Sequence, residues 1–441
     1  MIKEVSDTLS QISWARLSKE AKEKLLLCVL ANCSVAVAGL PFVKLPRPAA
    51  GGGTHMLYGG GHTASAREAA FYNGAVMHSR TQDDFHPIGN LHVSTVLLPA
   101  AFAAAEASKA SGVALLDALA AGYSATAGMS RKFSERTTPK GLRSTSLYSP
   151  FASTTAAARL AGFDSAKLGN ALALVASLNG GLTQCWRDGS DEWQLHAAAA
   201  AANGLLAADL TKAGVRGGSH ALDGPSGFYN AHAGYIPTFA EIAPDFDPEG
   251  AVLDTVLKRY PASGIGQPVV LLAERIAAEH GPRLKDIGKI EKIVLWMNPF
   301  EMHYPGNLNK GPFTSFSDVL MSASFLCASV LANGRFLFSD LFDYGRADRN
   351  RLIDAIEVKE NPALGTLSCR MDIRLTGGET ITSELINGGA ELALDWTTVD
   401  EWAVGLWKEG GRNESQYQTF RKAVRDLEKG SAASLIATLA T

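Results

Sequence analysis

Five residues that can move protons fall within one short stretch of this chain. Between Met77 and His92 the sequence carries His78, Asp83, Asp84, His86 and His92, although the whole chain of 441 residues has only ten histidines. Pro87 and Gly89 interrupt the stretch, so it reads as a loop between the helical run 64–77 and the apolar run 93–107, where side chains can converge on a pocket. Imidazole and carboxylate together supply general acid–base chemistry near neutral pH. His92 opens the second run and is the first candidate for that role, against a plain packing or capping role. Asp84 and Asp83 could orient His92 or His86, or hold a substrate water; paired aspartates ahead of a helix also cap it. His86 precedes Pro87, which fixes an extended backbone there, and a histidine such as His78 at a helix C-terminus commonly serves as a dipole partner. The spacing matches no standard zinc pattern, so no metal is expected.

Further residues could meet a substrate. Lys258 offers a cation to a carboxylate or to a developing enolate, or is a solvated lysine beside Arg259; Tyr260 follows it. Arg143 offers a planar fork that suits a carboxylate, or belongs to a solvated basic loop with Arg131, Lys132, Arg136 and Lys140. Trp193, beside Asp191 and Glu192, is an apolar pocket wall or core. His196 lies on an alanine-rich helix face and reads as a satisfied buried histidine. His303 and Tyr304 are candidates by position alone.

The elements that must position these groups are mostly helices. Periodicity and end signals predict helices over 18–39, 64–77, 93–112, 114–133, 153–162, 165–178 and 195–213. Faces of small residues, such as Ala197 to Ala202, allow close helix packing. Near residue 254 the character changes. Residues 287–297 alternate as a strand, 317–333 read as helix, 351–359 and 367–375 carry strand-like alternation, and Thr376-Gly377-Gly378-Glu379 is a hairpin turn leading to a strand over 380–386. Helices return over 396–410 and 414–427. The expected fold class is mainly α with an α+β insert: a helical domain over 1–253 and 394–441, and a smaller α+β lid over 254–393.

Composition bounds the function. A content of 46% hydrophobic and 19% charged residues, with net charge -3, describes a globular chain with a sizeable core and no footprint for nucleic acid or anionic membranes. Five scattered cysteines without a Cys-x-x-Cys pair fit a reducing cytoplasm. The first 23 residues are charged and amphipathic rather than a signal peptide, and no run approaches ~18 uninterrupted apolar residues.

Several segments resemble the MmgE/PrpD family, whose activities include 2-methylcitrate dehydratase, cis-aconitate decarboxylase and iminodisuccinate epimerase. They are Ala70-Phe71-Tyr72-Asn73-Gly74-Ala75 with His78; Asp83, Asp84, His86 and His92; 156–164; Asp188-Gly189-Ser190 with Leu195-His196; Lys258-Arg259-Tyr260-Pro261; Asn361-Pro362; and the Gly377-Gly378 hairpin. The resemblance implies a helical domain, an α+β lid, no cofactor and a homodimer. It also makes His92 and Lys258 intact core positions. Thr81 stands where the family usually has Asp, Arg143 where it has His, Trp193 where it has Lys, Gln267 where it has His and Phe325 where it has Tyr. The expectation is a cofactor-independent lyase, of dehydratase or decarboxylase type, working by α-proton chemistry on a small carboxylic acid. Its catalytic groups would be His92, Asp84 and Lys258, with Asp83, His86, Arg143, Trp193 and Tyr260 binding substrate. An epimerase or isomerase, or an inactive binding relative, is the alternative.

Overall fold

A computed structural model describes residues 1–284 and 286–440. The chain divides into two compact units, Met1–Leu182 with Glu192–Leu257 and Leu394–Thr441, and Thr183–Asp191 with Lys258–Ala393. The short segment Thr183–Asp191 thus belongs to the second unit.

The first unit is a helical bundle. Its central members are Lys19–Gly39, Ala66–His78, Ser94–Ser108, Gly112–Ser130, Ser144–Leu160 and Glu192–Lys212. Serines start several of them: Ser18, Ser65 and Ser111 each accept a main-chain N–H from the first turn. By length and composition Lys19–Gly39 could cross a membrane, but most of it is packed inside the unit. Glu192–Lys212 packs on Ser144–Leu160 and on Ala66–His78. Small residues make this approach possible, because a Cβ at Gly204 would lie 2.4 Å from the carbonyl carbon of Ser153.

The helix predicted to begin at Ser153 begins instead at Ser144 and carries Pro150 in its interior. Proline removes the N–H that would have bonded the Ser146 carbonyl. Here the Gly180 N–H takes that carbonyl at 3.3 Å, so the helix runs through.

The second unit holds a four-stranded mixed sheet in the order Ile356–Glu360, Ile290–Met297, Cys369–Leu375, Thr380–Leu385, with only the first pair parallel. The Gly377-Gly378 turn joins the last two strands, both glycines at positive φ. Two expectations need correction. Residues 351–359 do not form one strand: a helix, Ala347–Ala355, runs into the strand Ile356–Glu360. Leu352, Ile353 and Ile356, all buried, fit helical spacing as well as strand alternation. The helix expected over 317–333 is broken at Ser322, whose side chain caps a new helix, Ala323–Asn333, by accepting from the Phe325 N–H.

The fold class is therefore mainly α with a smaller α+β region. All five cysteines are buried thiols.

Candidate active site

The histidine-rich stretch is a pinned loop of the first unit. Helix Ala66–His78 ends at His78, and Thr81 then turns the chain with a left-handed φ of 57°. That conformation is costly for a β-branched residue. The loop is held by two short antiparallel bridges, Phe85 to Val256 and His86 to Leu91, with Asn90 also left-handed between the members of the second. The next helix, Ser94–Ser108, starts two residues after His92.

Asp83 and Asp84 take different tasks. The Asp84 carboxylate accepts the Ser94 N–H at 2.9 Å, the Ser94 hydroxyl at 2.6 Å and the Tyr123 hydroxyl at 2.7 Å, and it is buried. Burial raises its pKa. It fastens the start of a helix, and it reaches His92 only through its main-chain oxygen, 2.9 Å from His92 Nδ1. The carboxylate beside His92 is that of Asp83: Oδ2 lies 3.0 Å from His92 Nδ1. The same carboxylate sits 3.0 Å and 3.1 Å from His78 Nδ1. His92 itself is seated by helix Ser144–Leu160: its N–H donates to Thr145 Oγ1 at 3.2 Å and its carbonyl accepts from Ser149 at 2.9 Å.

Arg143, just ahead of that helix, is buried and held inside the unit. Its guanidinium donates to the Trp193 carbonyl at 2.6 Å, to His196 Nδ1 at 3.3 Å and to His78 Nε2 at 2.7 Å. Arginine has no acceptor. His78 Nε2 and His196 Nδ1 therefore present lone pairs, and both rings are neutral. Burial agrees, holding each histidine down at about 3, with the nearby Arg143 charge acting the same way. Burial prevails at His78 even against the adjoining Asp83. Trp193 is fully buried, edge-on to His78 with ring centres 5.2 Å apart.

These contacts fix the proton positions. With its Nε2 facing an N–H, His78 donates from Nδ1 to Asp83. His92 Nδ1 faces two acceptors, Asp83 and the Asp84 carbonyl, so it carries hydrogen, and the lone pair of the neutral ring lies on Nε2. His78, Asp83 and His92 bring one possible ligand atom each within 4.8 Å of one another. A cation there would need a lone pair on His78 Nδ1, which would set an Nε2–H against the Arg143 N–H. As arranged, this donor set fits hydrogen bonds, not a metal.

His86 is buried; its Nδ1 accepts the Gly89 N–H at 3.1 Å, its Nε2 has no partner among the described residues, and burial holds its pKa near 4. That is a loop-structural environment. Lys258 and Tyr260 belong to the second unit, and both side chains are buried. The Tyr260 hydroxyl donates to Glu274 at 2.7 Å. Gln267 folds back on the same turn, accepting the Tyr260 N–H at 3.0 Å and donating to its carbonyl at 3.0 Å. Asp188-Gly189-Ser190 is likewise a piece of the second unit: the Gly189 carbonyl accepts from Ser315, and a Cβ on Gly189 would collide with the Asp318 carboxylate at 1.8 Å. His303 lies exposed, 3.3 Å from Glu360. The sequence reading missed the part played by His78. The available signal was its place five residues before Asp83, at the end of a helix whose other late residues are apolar.

Comparison with known proteins identifies relatives over most of the chain. Residues 3–239 match the MmgE/PrpD N-terminal domain. The chain is 26% identical over 333 residues to a cis-aconitate decarboxylase of Homo sapiens, spanning 71% of this chain and 66% of the human protein, just under two thirds of its length. It is 26% identical over 378 residues to the cis-aconitate decarboxylase of Mus musculus, covering 81% and 72%. A cis-aconitate decarboxylase-like protein of Aspergillus oryzae is 29% identical over 192 residues, covering 41% and 38%.

Proposed function

The chain belongs to the MmgE/PrpD family, and we propose that it is a lyase of dehydratase or decarboxylase type that moves a proton at the carbon beside a carboxylate in a small organic acid. The observation that carries this reading is the Asp83–His92 pair. The Asp84 carbonyl, 2.9 Å from Nδ1, fixes the ring's tautomer and places the basic lone pair on Nε2, and the Asp83 carboxylate 3.0 Å from Nδ1 stabilises the imidazolium formed when Nε2 takes a proton. Of the three clustered groups, His92 is the one with side-chain exposure, 15%, where a substrate can arrive. Proton delivery by the same nitrogen would complete an elimination or quench the enolate left by decarboxylation. Lys258, which keeps the family's lysine motif, is the proposed cation for enolate or carboxylate charge.

The acid itself need not be the one named by the relatives. Arg143 and Trp193 replace a histidine and a lysine of the family pattern. The first is engaged by protein acceptors and the second is fully buried. That leaves fewer cationic groups to meet carboxylates and favours an acid less anionic than a tricarboxylate.

The test is a panel of unsaturated and 2-hydroxy mono- and dicarboxylic acids followed by NMR in heavy water, together with mass spectrometry of any acid retained by the purified protein. Turnover of one member with deuterium entering beside its carboxylate, lost by ~10²–10⁴ in His92→Gln, is the expected result. Deuterium entry without elimination or loss of carbon dioxide would replace the lyase reading with an epimerase. Turnover unaffected in His92→Gln would end the acid–base assignment.

A further inference from the structure

We infer that Arg143, His78 and Asp83 form a buried positioning relay that sets the proton position and basicity of His92. This deepens the proposed role of His92 and rests on that reading for its catalytic consequence, but the relay can be tested without any substrate.

The relay is continuous and has a direction. The Arg143 N–H donates to His78 Nε2 at 2.7 Å, His78 Nδ1–H donates to both oxygens of Asp83 at 3.0 and 3.1 Å, and Asp83 Oδ2 lies 3.0 Å from His92 Nδ1, whose N–H donates to the Asp84 carbonyl at 2.9 Å. The order follows from arginine being donor-only. It forces His78 to be an acceptor on one side and therefore a neutral donor on the other. His78 cannot turn over without breaking both bonds, and Trp193 closes one flank of its ring. The His92 ring stands edge-on to it with centres 4.8 Å apart.

The consequence is electrostatic. Asp83 divides its acceptor capacity between two imidazoles, so His92 receives only part of the stabilisation that a dedicated carboxylate would give its charged form. Arg143 lies one ring away with a positive charge that opposes protonation of His92. The groups facing His92 within this unit include Asp83 and His78 directly, with Arg143 and His196 behind His78. The Asp84 carboxylate is turned away to Ser94 and Tyr123. Both influences keep His92 a weaker base than an Asp–His pair alone would make it. This gives Arg143 a task that neither a substrate ligand nor a packing residue would have.

The experiment is imidazole NMR on histidine-¹⁵N-labelled full-length protein across a pH titration. In the wild type, His78 and His92 are expected as neutral Nδ1–H tautomers near pH 7 and His196 as Nε2–H. His78→Phe removes the competing donor and should raise the His92 midpoint. Arg143→Gln removes the cation and should also raise it. Asp83→Asn should lower it by about one pH unit or more. His78→Asn keeps an N–H toward Asp83 and should leave the midpoint near that of the wild type, so a folded variant remains even if the phenylalanine is not tolerated. A purely structural trio would alter melting temperature and leave the midpoint in place. An unmoved His92 midpoint in folded Asp83→Asn and Arg143→Gln, or an Nε2–H tautomer at His78, would overturn the relay. Loss of turnover in His92→Gln alongside unmoved midpoints would sink the relay and leave the lyase reading standing.

Discussion

Asp83 and Asp84 are adjacent, both buried and both acidic, yet one carboxylate serves imidazoles and the other serves a helix start. Their partners make the difference: Asp83 meets the two histidine rings, and Asp84 meets Ser94 and Tyr123. The same burial that separates them has a consequence for stability. His78 and His196 are held at about 3 and His86 at about 4, all below the ordinary 6.5. Their folded-state values lie below those of the unfolded chain, so between these limits the unfolded state binds more protons. Stability is therefore full above about 6.5 and is lost as pH falls toward 4 for His86 and toward 3 for His78 and His196. At pH 5 each histidine costs up to about 2 kcal/mol. The urea midpoint followed by tryptophan fluorescence should drop clearly between about pH 7.5 and pH 5. An equal midpoint at both values would mean that these rings are not buried in the neutral form. At this scale the sequence was partly legible. The density of histidine and aspartate located the cluster and picked out His92. It could not tell Asp83 from Asp84, since both roles are open to an aspartate before a helix. From sequence Arg143 reads as a substrate fork or a solvated charge, because its three protein acceptors come from residues 50 or more positions away.

Helices bring those distant residues together, and their spacing depends on side chains that are absent. Gly204 lies where helix Glu192–Lys212 crosses Ser144–Leu160, with Ser153 Oγ 2.2 Å and the Thr154 nitrogen 2.4 Å from where a Cβ would stand. These helices carry Arg143 at one end and Trp193 and His196 near the other's start, so their separation governs the relay. Gly405 is also inside a helix, Trp396–Glu409, but nothing lies within 4 Å of its would-be Cβ. Alanine gains about 1 kcal/mol over glycine in a helix interior. Gly405→Ala should accordingly raise the melting temperature. Gly204→Ala should lower it, since overpacking against backbone costs about 1–3 kcal/mol and more than cancels the gain. Two shifts of the same sign in thermal melts would contradict the close crossing. Helix existence was legible from periodicity along most of the first unit. What was not legible was rescue by distant groups: the carbonyl freed by Pro150 is taken by Gly180, thirty residues on in the chain, and no local pattern announces that bond.

For the molecule as a whole, the first unit is assembled from both ends of the chain around the second unit's sequence. Residues from 394 onward return to it. Trp407 is the clearest link: it is fully buried, its Nε1–H donates to Ser34 at 3.1 Å, and its ring stacks on Phe420 with centres 5.3 Å apart and meets Tyr417 edge-on. Ser34 lies on helix Lys19–Gly39, whose neighbour Asn32 accepts the Asp84 N–H at 2.8 Å and so steadies the site loop. The last helices are therefore part of the scaffold that positions the acid–base groups, although none of them carries one. Trp407→Ala should cost about 3–5 kcal/mol through the cavity it leaves. A chain ending at residue 393 loses Trp407, Tyr417 and Phe420 together and exposes the apolar face of Lys19–Gly39 to water. Such a chain is expected to lose cooperative melting of the helical unit and to be cleaved by protease within residues 19–42 under conditions where the full chain resists. Cooperative melting at the full-length temperature would show instead that the first unit folds from its N-terminal segments alone, and the closing helices would then be an addition to the scaffold, not a member of it.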